Sequence, residues 1–369
     1  MRIGIDAREI SRPNTGTGMY VVNLIKSLAK IDSKNHFFLL VESGIRLDEN
    51  LPSNFKYVDI IVAIFSKIQD QLFVPIVLVK YKIDIYHVTH HDVTPFLTRI
   101  PLIVTVLDVA WIDFPGESSK FFQTYYYYLT KLSLKKAKNV VTISDSTKER
   151  VIEHFPYVKD KTKSILIACD PYFCCRNDED EFQEISREFG LKKPYVLYVG
   201  SFALRKNLKV LIKAMESIWP RYPNIQLVLA GNLSGKNDEN ILKLKGSNPI
   251  ILISRSKNKL ELNSLYQNAL VFVFPSIYEG FGLPVLEAMT CGCPVIASNT
   301  TSIPEIVGDG QILFNPSDFE ELQRQLILVI EDKELNKKMK EDGLSRSKLF
   351  NWNKVAKETL NSYLNQNHN

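Results

Sequence analysis

Long apolar runs are missing from this 369-residue chain. None reaches the roughly 18 residues of a membrane span, and the longest candidates, "VDIIVAIF" and "LFVPIVLV", have the length of core strands or core helices. No apolar stretch follows the basic residue of "MRIGIDAREI", so a signal peptide is not expected and the cytoplasm is the expected location. Cysteine is scarce. Cys169, Cys174, Cys175, Cys291 and Cys293 form no repeated C-x-x-C pair at zinc spacing, which points to reduced thiols in a cytosolic protein. Charge of one sign is also lacking. The formal charge of +5 is too weak to imply nucleic acid, although it suits a protein that handles an anionic small molecule or visits an anionic surface. Low-complexity tracts and short-period repeats are absent.

What is present is ordinary for a soluble globular protein: 45% apolar and 24% charged residues. The length suggests two domains. Apolar runs such as "RIGID", "HFFLLV", "IDIYHV", "PLIVTVLD" and "NVVTIS" alternate with amphipathic stretches in the first half. "YVLYVG", "IQLVLAG", "PIILIS", "LVFVFPS" and "CPVIAS" do so in the second. Near-continuous apolar strands alternating with helices predict parallel sheets covered on both faces, hence an α/β protein of two Rossmann-like, doubly wound domains. The break is placed at the polar stretch "CRNDEDEFQEISREFGLKKP", read as a linker with a short helix. The expected division is 1–172, a linker at 173–193, 194–348, and a final helix at 349–369. The acids Asp178 to Glu181 are read as a solvated linker rather than a metal cluster, because hard-cation sites need ligands fixed around one point.

Two segments of the second half carry chemistry. "YVLYVGSFALRKNLKVLIKAM" reads as strand, glycine turn at Gly200, basic pair and helix. Ligands of open α/β sheets bind outside the carboxyl ends of strands, where Arg205 and Lys206 fall. Two cations beside a helix start favour a phosphate or diphosphate; a solvated basic pair is the plain alternative. "SIYEGFGLPVLEAMTCGCPVIAS" is a loop and helix after the buried strand "LVFVFPS". Gly280 and Gly282 admit a close ligand, and Pro284 suits the first turn of a helix. Free N–H groups from Gly280 through Phe281 and Gly282 to Leu283 can face a phosphate. Glu279 on the loop and Glu287 on the helix can accept hydrogen bonds from sugar or ribose hydroxyls. A ligand with both phosphates and hydroxyls is a sugar nucleotide. The plain alternative makes Glu287 a helix-dipole partner and Glu279 a loop charge. Paired carboxylates also serve glycoside hydrolysis, but that reading leaves the basic pair unexplained. In "NTGTGMYVVNLIKSL", Gly16 and Gly18 precede a helix. Val21 stands where a dinucleotide fingerprint wants its third glycine, so a glycine-rich loop facing the interdomain cleft is the better reading.

Taken together, "TGTGMYVVNL", "VTVLDVAW", "VVTISDSTKERV", "YVGSFALRKNL" and the E-x7-E block of Glu279 and Glu287 resemble the retaining glycosyltransferases of family 4, the glycosyl transferases group 1, which have the GT-B fold. The resemblance covers nearly the whole chain. It is strongest to the mannosyltransferase-B-like branch that builds surface polysaccharides such as O-antigen or capsule. It implies an acceptor-binding first domain and a donor-binding second domain. Arg205 and Lys206 would neutralise the diphosphate and Glu279 would contact the donor sugar. Glu287 would hold the ribose, and Gly18 would approach the phosphate from the first domain. The last helix, around Trp352, would cross back to the first domain. The donor base would sit near Ser254 and Arg255. No metal or other cofactor is implied, because the cationic pair and helix ends take that role. The donor suggested by the branch is GDP-mannose, with UDP-sugars and other donors open, and the acceptor is a glycan or lipid-linked glycan.

The chain departs from that pattern at "TVLD". Relatives read T-x-H-D there, with a histidine that touches the donor sugar; this sequence has Leu107 and keeps Asp108. "LIACDPYF" likewise puts Ala168 and Cys169 where relatives have asparagine and glycine. His90 and His91, after "IDIYHV", are candidate acceptor contacts, with loop or core histidines as the plain alternative. "KFFQTYYYYLTKLSLKKAKN" holds five lysines, six aromatics and no acid. It reads either as a helix packed on the first sheet with a basic outer face, or as an interfacial helix on the inner leaflet of the membrane. Two competing classes stand beside the transferase: an epimerase or glycosidase on a similar scaffold, and a non-catalytic partner protein, which Leu107 favours and the intact Arg205, Lys206, Glu279 and Glu287 oppose.

Overall fold

The computed structural model describes residues 1–60, 66–114, 119–176, 179–231, 248–253 and 258–364. They form two compact units, one of residues 1–168 with 351–369 and one of residues 169–350. In the first, the strands are β1 (Arg2–Asp6), β2 (His36–Glu42), β3 (Phe55–Ile60), β4 (Ile85–Val88), β5 (Leu102–Val106), β6 (Asn139–Thr142) and β7 (Thr162–Ser164). They pair in the order β3-β2-β1-β4-β5-β6-β7, and every pair is parallel. The central strands β4 and β5 bury every residue, as strands covered on both faces must. The strand order reverses between β1 and β4, where an open α/β sheet leaves its ligand crevice.

The five runs read as strands in this half all form strands. Two more appear. β3 alternates buried and exposed positions at the sheet edge, and β7 reads only "TKS", held by pairing Val140 with Thr162. Neither has the continuous apolar run of a central strand. "LFVPIVLV" lies in the helix Ser66–Lys80.

The second unit contains β8 (Tyr195–Val199), β9 (Gln226–Ala230), β10 (Ile250–Ile253), β11 (Val271–Phe274), β12 (Val295–Ser298) and β13 (Ile312–Phe314). Their order is β10-β9-β8-β11-β12-β13, again all parallel. Here too the order reverses, between β8 and β11. The stretch expected as a linker, 173–193, is instead part of this unit. Its helix Glu179–Phe189 buries Phe182 and Ile185, and the Phe182 ring lies parallel to Tyr195 at 6.3 Å between centroids. Apolar positions three apart on a charged helix give it a face that must be covered, so it packs as a component rather than hanging as a connector.

The helical tail divides between the units. Phe319–Glu331 and Lys333–Ser347 belong to the second, each started by an aspartate cap: Asp318 accepts from Glu321 N and Asp332 from Leu335 N, both at 2.8 Å. Trp352–Leu364 belongs to the first. Its Trp352 faces Tyr20 of the helix Gly16–Ile31 at 6.2 Å, and its Tyr363 hydroxyl bonds His87 Nδ1 of β4 at 2.6 Å.

Candidate active site

In the second unit the site is built from two loops that leave the carboxyl ends of β8 and β11, on either side of the switch in strand order. After β8 the chain turns at Gly200, forms the short turn Leu204–Lys206, and passes through Asn207 in a left-handed conformation before helix Leu208–Ile218. Asn207 spends its side-chain amide on Pro316 O at 2.7 Å and does not cap the helix. After β11 the loop runs to Gly282, whose φ of +106° no L side chain adopts comfortably. A Cβ there would also lie 2.6 Å from Ile303 Cδ1. Gly282 starts the helix Leu283–Thr290 without a side-chain cap, and Pro284 sits in its first turn. Both helix starts therefore keep first-turn N–H groups that no cap side chain satisfies, the arrangement that favours an anion.

Between these loops lies a buried ion pair. Lys206 Nζ bonds Glu279 Oε1, with the two side chains 9% and 10% exposed. Arg205 Nη1 stands 3.8 Å from the other oxygen of Glu279 and donates to Tyr278 O at 3.4 Å. The loops are fastened through backbone: Ile277 N donates to Arg205 O at 2.8 Å. A third loop, after β12, holds Glu279 in place. Thr301 Oγ1 accepts from Glu279 N at 3.1 Å, and Ser302 Oγ donates to Glu279 O at 3.1 Å and to Phe281 O at 2.6 Å. Phe281 turns its ring inward against Phe350, which leaves only its backbone available to a ligand.

Glu287 has a separate set of partners. It stands on the second turn of helix Leu283–Thr290, and Tyr266 donates its hydroxyl to Glu287 Oε2 at 3.0 Å. Loss of hydration pushes its carboxyl up to about 7; the nearby Asp170 charge adds to this, and the Tyr266 hydrogen bond and Lys259 oppose it. Lys259 is itself bonded to Asp170. Ser254 and Arg255 lie outside the described residues.

The remaining candidates stand in the first unit. Gly18 has a packing role there. Its N–H donates to Thr15 Oγ1 at 3.1 Å, and a Cβ on it would lie 2.0 Å from Arg12 O. The space that the missing side chain leaves is filled by the unit's own backbone, which requires glycine at this position. Asp108, after β5, accepts from Ala110 N at 3.1 Å. His90 Nδ1 bonds Asp92, and Asp92 accepts from the Tyr126 hydroxyl at 2.9 Å. Burial works against a charged His90, but Asp92, with Asp108 and Glu9 beyond it, holds its pKa above the ordinary value. His91 is buried and stacks on His90 at 4.8 Å.

Thr301, Ser302, Tyr266, Asp92 and Tyr126 were given no site role from the sequence, because the contacts of Thr301 and Ser302 with the Glu279 loop, of Tyr266 with Glu287 and of Asp92 with Tyr126 join segments far apart along the chain. His87 was missed for the same reason. It is fully buried, bonded to Tyr363 and to Thr105 Oγ1 at 2.7 Å, and burial pushes its pKa down to about 3.

Residues 179–346 match the family described as glycosyl transferases group 1. The chain is 31% identical to the O-antigen chain mannosyltransferase B of Escherichia coli over 291 residues, 77% of this chain and 74% of the relative. It is 30% identical to the serotype-specific mannosyltransferase WbdA of Escherichia coli over 240 residues, 62% of this chain but only 29% of that much longer protein. Sucrose-phosphate synthase from Thermosynechococcus elongatus superposes with a TM-score of 0.79 at 20% identity, covering 99% of this chain and 98% of that one. At such identity the likeness shows the fold, which is GT-B.

Proposed function

We propose, from the premise that this chain belongs to the glycosyl transferases group 1, that it moves mannose from GDP-mannose to a glycan or lipid-linked acceptor, with retention, during surface polysaccharide assembly. The chain is thus an enzyme of the glycosyltransferase class. The choice of mannose rests on the mannosyltransferases it is similar to. The observation that carries the site is the buried Lys206–Glu279 pair beside two helix starts that lack side-chain caps.

In this reading, the leaving diphosphate draws Lys206 and Arg205 toward it and is met by the N–H groups at Gly280 to Leu283. Glu279, released from Lys206, accepts hydrogen bonds from hydroxyls of the donor sugar. Negative charge grows on the diphosphate as the glycosidic bond breaks, so fixed cations and N–H dipoles stabilise the transition state more than the bound donor. A phosphate oxygen on the departing face takes the acceptor's proton, which gives retention. Glu287 holds the ribose, with Tyr266 fixing its orientation. Asp108 is read as a catalytic residue of the first unit, and His90 and His91 as its acceptor contacts. The two cations and helix ends supply the positive field, so the reading takes activity to need no metal. It places the enzyme in the cytoplasm with a peripheral contact to the membrane's inner face; no described helix is long and apolar enough to cross a membrane.

The test is thermal unfolding of the purified protein with GDP, UDP, dTDP or ADP, each with and without EDTA. Ligand at about 100 times Kd adds about 2.7 kcal/mol of stability. A shift with GDP alone, unchanged by EDTA, is expected. A shift with UDP alone replaces the donor and leaves the reaction class. No shift with any of them, together with no sugar transfer, would favour a non-catalytic partner protein, the reading that Leu107 supports.

A further inference from the structure

Ten of the large apolar side chains that the first unit exposes belong to two helices and the segment between them. Helix Lys120–Lys136 exposes Phe121, Tyr125, Tyr128 and Leu132, spaced i, i+4, i+7 and i+11 along one stripe, with Phe121 84% exposed. Helix Ser66–Lys80 exposes Leu72, Ile76 and Val79 at the same spacing, with Val79 70% exposed. An amphipathic surface helix turns such a stripe inward. Each of these helices also has a proper inner face: Val74 and Leu78 from one, Tyr127 and Leu134 from the other, join one core cluster with Tyr86, Val88, Leu102 and Val104. They therefore cover the same side of the sheet, and their outer stripes face the same way. The link between them runs through the segment of Thr94 and Phe96. The Gln71 amide donates to Thr94 O at 2.9 Å and accepts from Phe96 N at 2.7 Å, while Thr94 Oγ1 bonds Ser133 Oγ. Leu97, 65% exposed, lies on that link.

Lysines flank these stripes along the chain. Lys80, Lys82, Lys120, Lys131, Lys135 and Lys138 are exposed, and no acid occurs from Lys120 to Ser144. Protein–protein interfaces are depleted in lysine, whereas anionic bilayers attract it, and tyrosine and phenylalanine settle at the headgroup level.

We propose that these two helices form one docking surface for an anionic membrane, with the aromatic and aliphatic stripes entering the headgroup region and the lysines meeting lipid phosphates. The transferase reading gives the contact a purpose, since a lipid-linked acceptor lies in that layer; the surface itself does not depend on it. The test is co-sedimentation of the full chain with vesicles of phosphatidylglycerol and phosphatidylcholine, and with phosphatidylcholine alone, across a salt series. Binding to anionic vesicles that weakens with salt is expected. F121E/Y128E and I76E/V79E should each lower it at least about tenfold, while L328E, an exposed position of the second unit, should not. These are surface positions, and circular dichroism melts identify any variant that fails to fold. No binding, equal binding to neutral vesicles, or wild-type binding in both double variants overturns the proposal. So does a dimer in light scattering that either double variant dissociates, because the face would then belong to a second copy. The GDP-induced melting shift belongs to the second unit and should survive in all variants, so the docking and transferase readings fail separately.

Discussion

Removing Lys206 alone should cost more than removing the whole Lys206–Glu279 pair. The two side chains are 9% and 10% exposed, so neither charge is well hydrated once its partner is gone. Deleting one member of a buried pair typically costs about 3–5 kcal/mol, because the other is left without compensation. Arg205, 3.8 Å from Glu279, recovers part of this, so K206M should lie at the lower end, about 3 kcal/mol. E279Q keeps an acceptor for Lys206 Nζ and should lose about 1–3 kcal/mol. Replacing both with apolar groups, K206M/E279L, removes both desolvation costs and should return close to wild type, since such swaps are often neutral or stabilising. The assay is calorimetry on wild type, K206M, E279L and the double variant, read as a double-mutant cycle with a coupling of at least about 2 kcal/mol. For a unit of this size, about 3 kcal/mol lowers the melting temperature by roughly 6–12 °C. The double variant should melt near wild type yet show no GDP-induced shift, which separates the pair's structural cost from its use in donor binding. K206M within about 0.5 kcal/mol of wild type, or losses that simply add, would refute the argument.

Other expectations follow from single contacts. A carboxyl raised to about 7 in the folded protein from an ordinary 4.5 makes the fold bind a proton that the unfolded chain has released, so this contribution to stability is present at low pH and is lost as pH rises from about 4.5 through about 7. E287Q should therefore gain stability relative to wild type between pH 5 and pH 8 in urea titrations, and a flat difference would contradict the burial assigned to Glu287. His87 works in the opposite sense. Its pKa falls from 6.5 to about 3 on folding, so its contribution is present above about 6.5 and is lost as pH falls toward 3; H87N should flatten the acid limb of the stability profile. Y363F leaves His87 Nδ1 without its buried partner and should cost about 1–3 kcal/mol by urea midpoint. G18A places a Cβ 2.0 Å from Arg12 O and should destabilise by about 1–3 kcal/mol or more. G16A meets nothing within 4 Å and should be neutral or slightly stabilising; equal effects at the two glycines would undo the packing role assigned to Gly18.

The sequence alone determined most of what depends on short stretches of chain. Central strands buried on both faces are runs of apolar residues, so β1, β2, β4, β5, β6 and their counterparts in the second unit could be read directly. The glycine turn, basic pair, loop and helix start of the donor side were also legible, because backbone freedom at Gly282 and the start at Pro284 are local properties. Tertiary structure decided everything that needs two distant segments to meet. β3 and β7 exist because an edge strand is defined by its neighbour, and residues 173–193 joined the second unit because Phe182 and Ile185 found a surface to cover. Only the fold brought Glu279 to Lys206, Tyr266 to Glu287 and Asp92 between His90 and Tyr126. It also put the inner faces of helices Ser66–Lys80 and Lys120–Lys136 into one core cluster, so that both outer stripes lie on one side of the sheet, an arrangement that no periodicity within either helix contains. Periodicity records which face of one element is apolar; which partner meets that face, and whether any does, depends on topology.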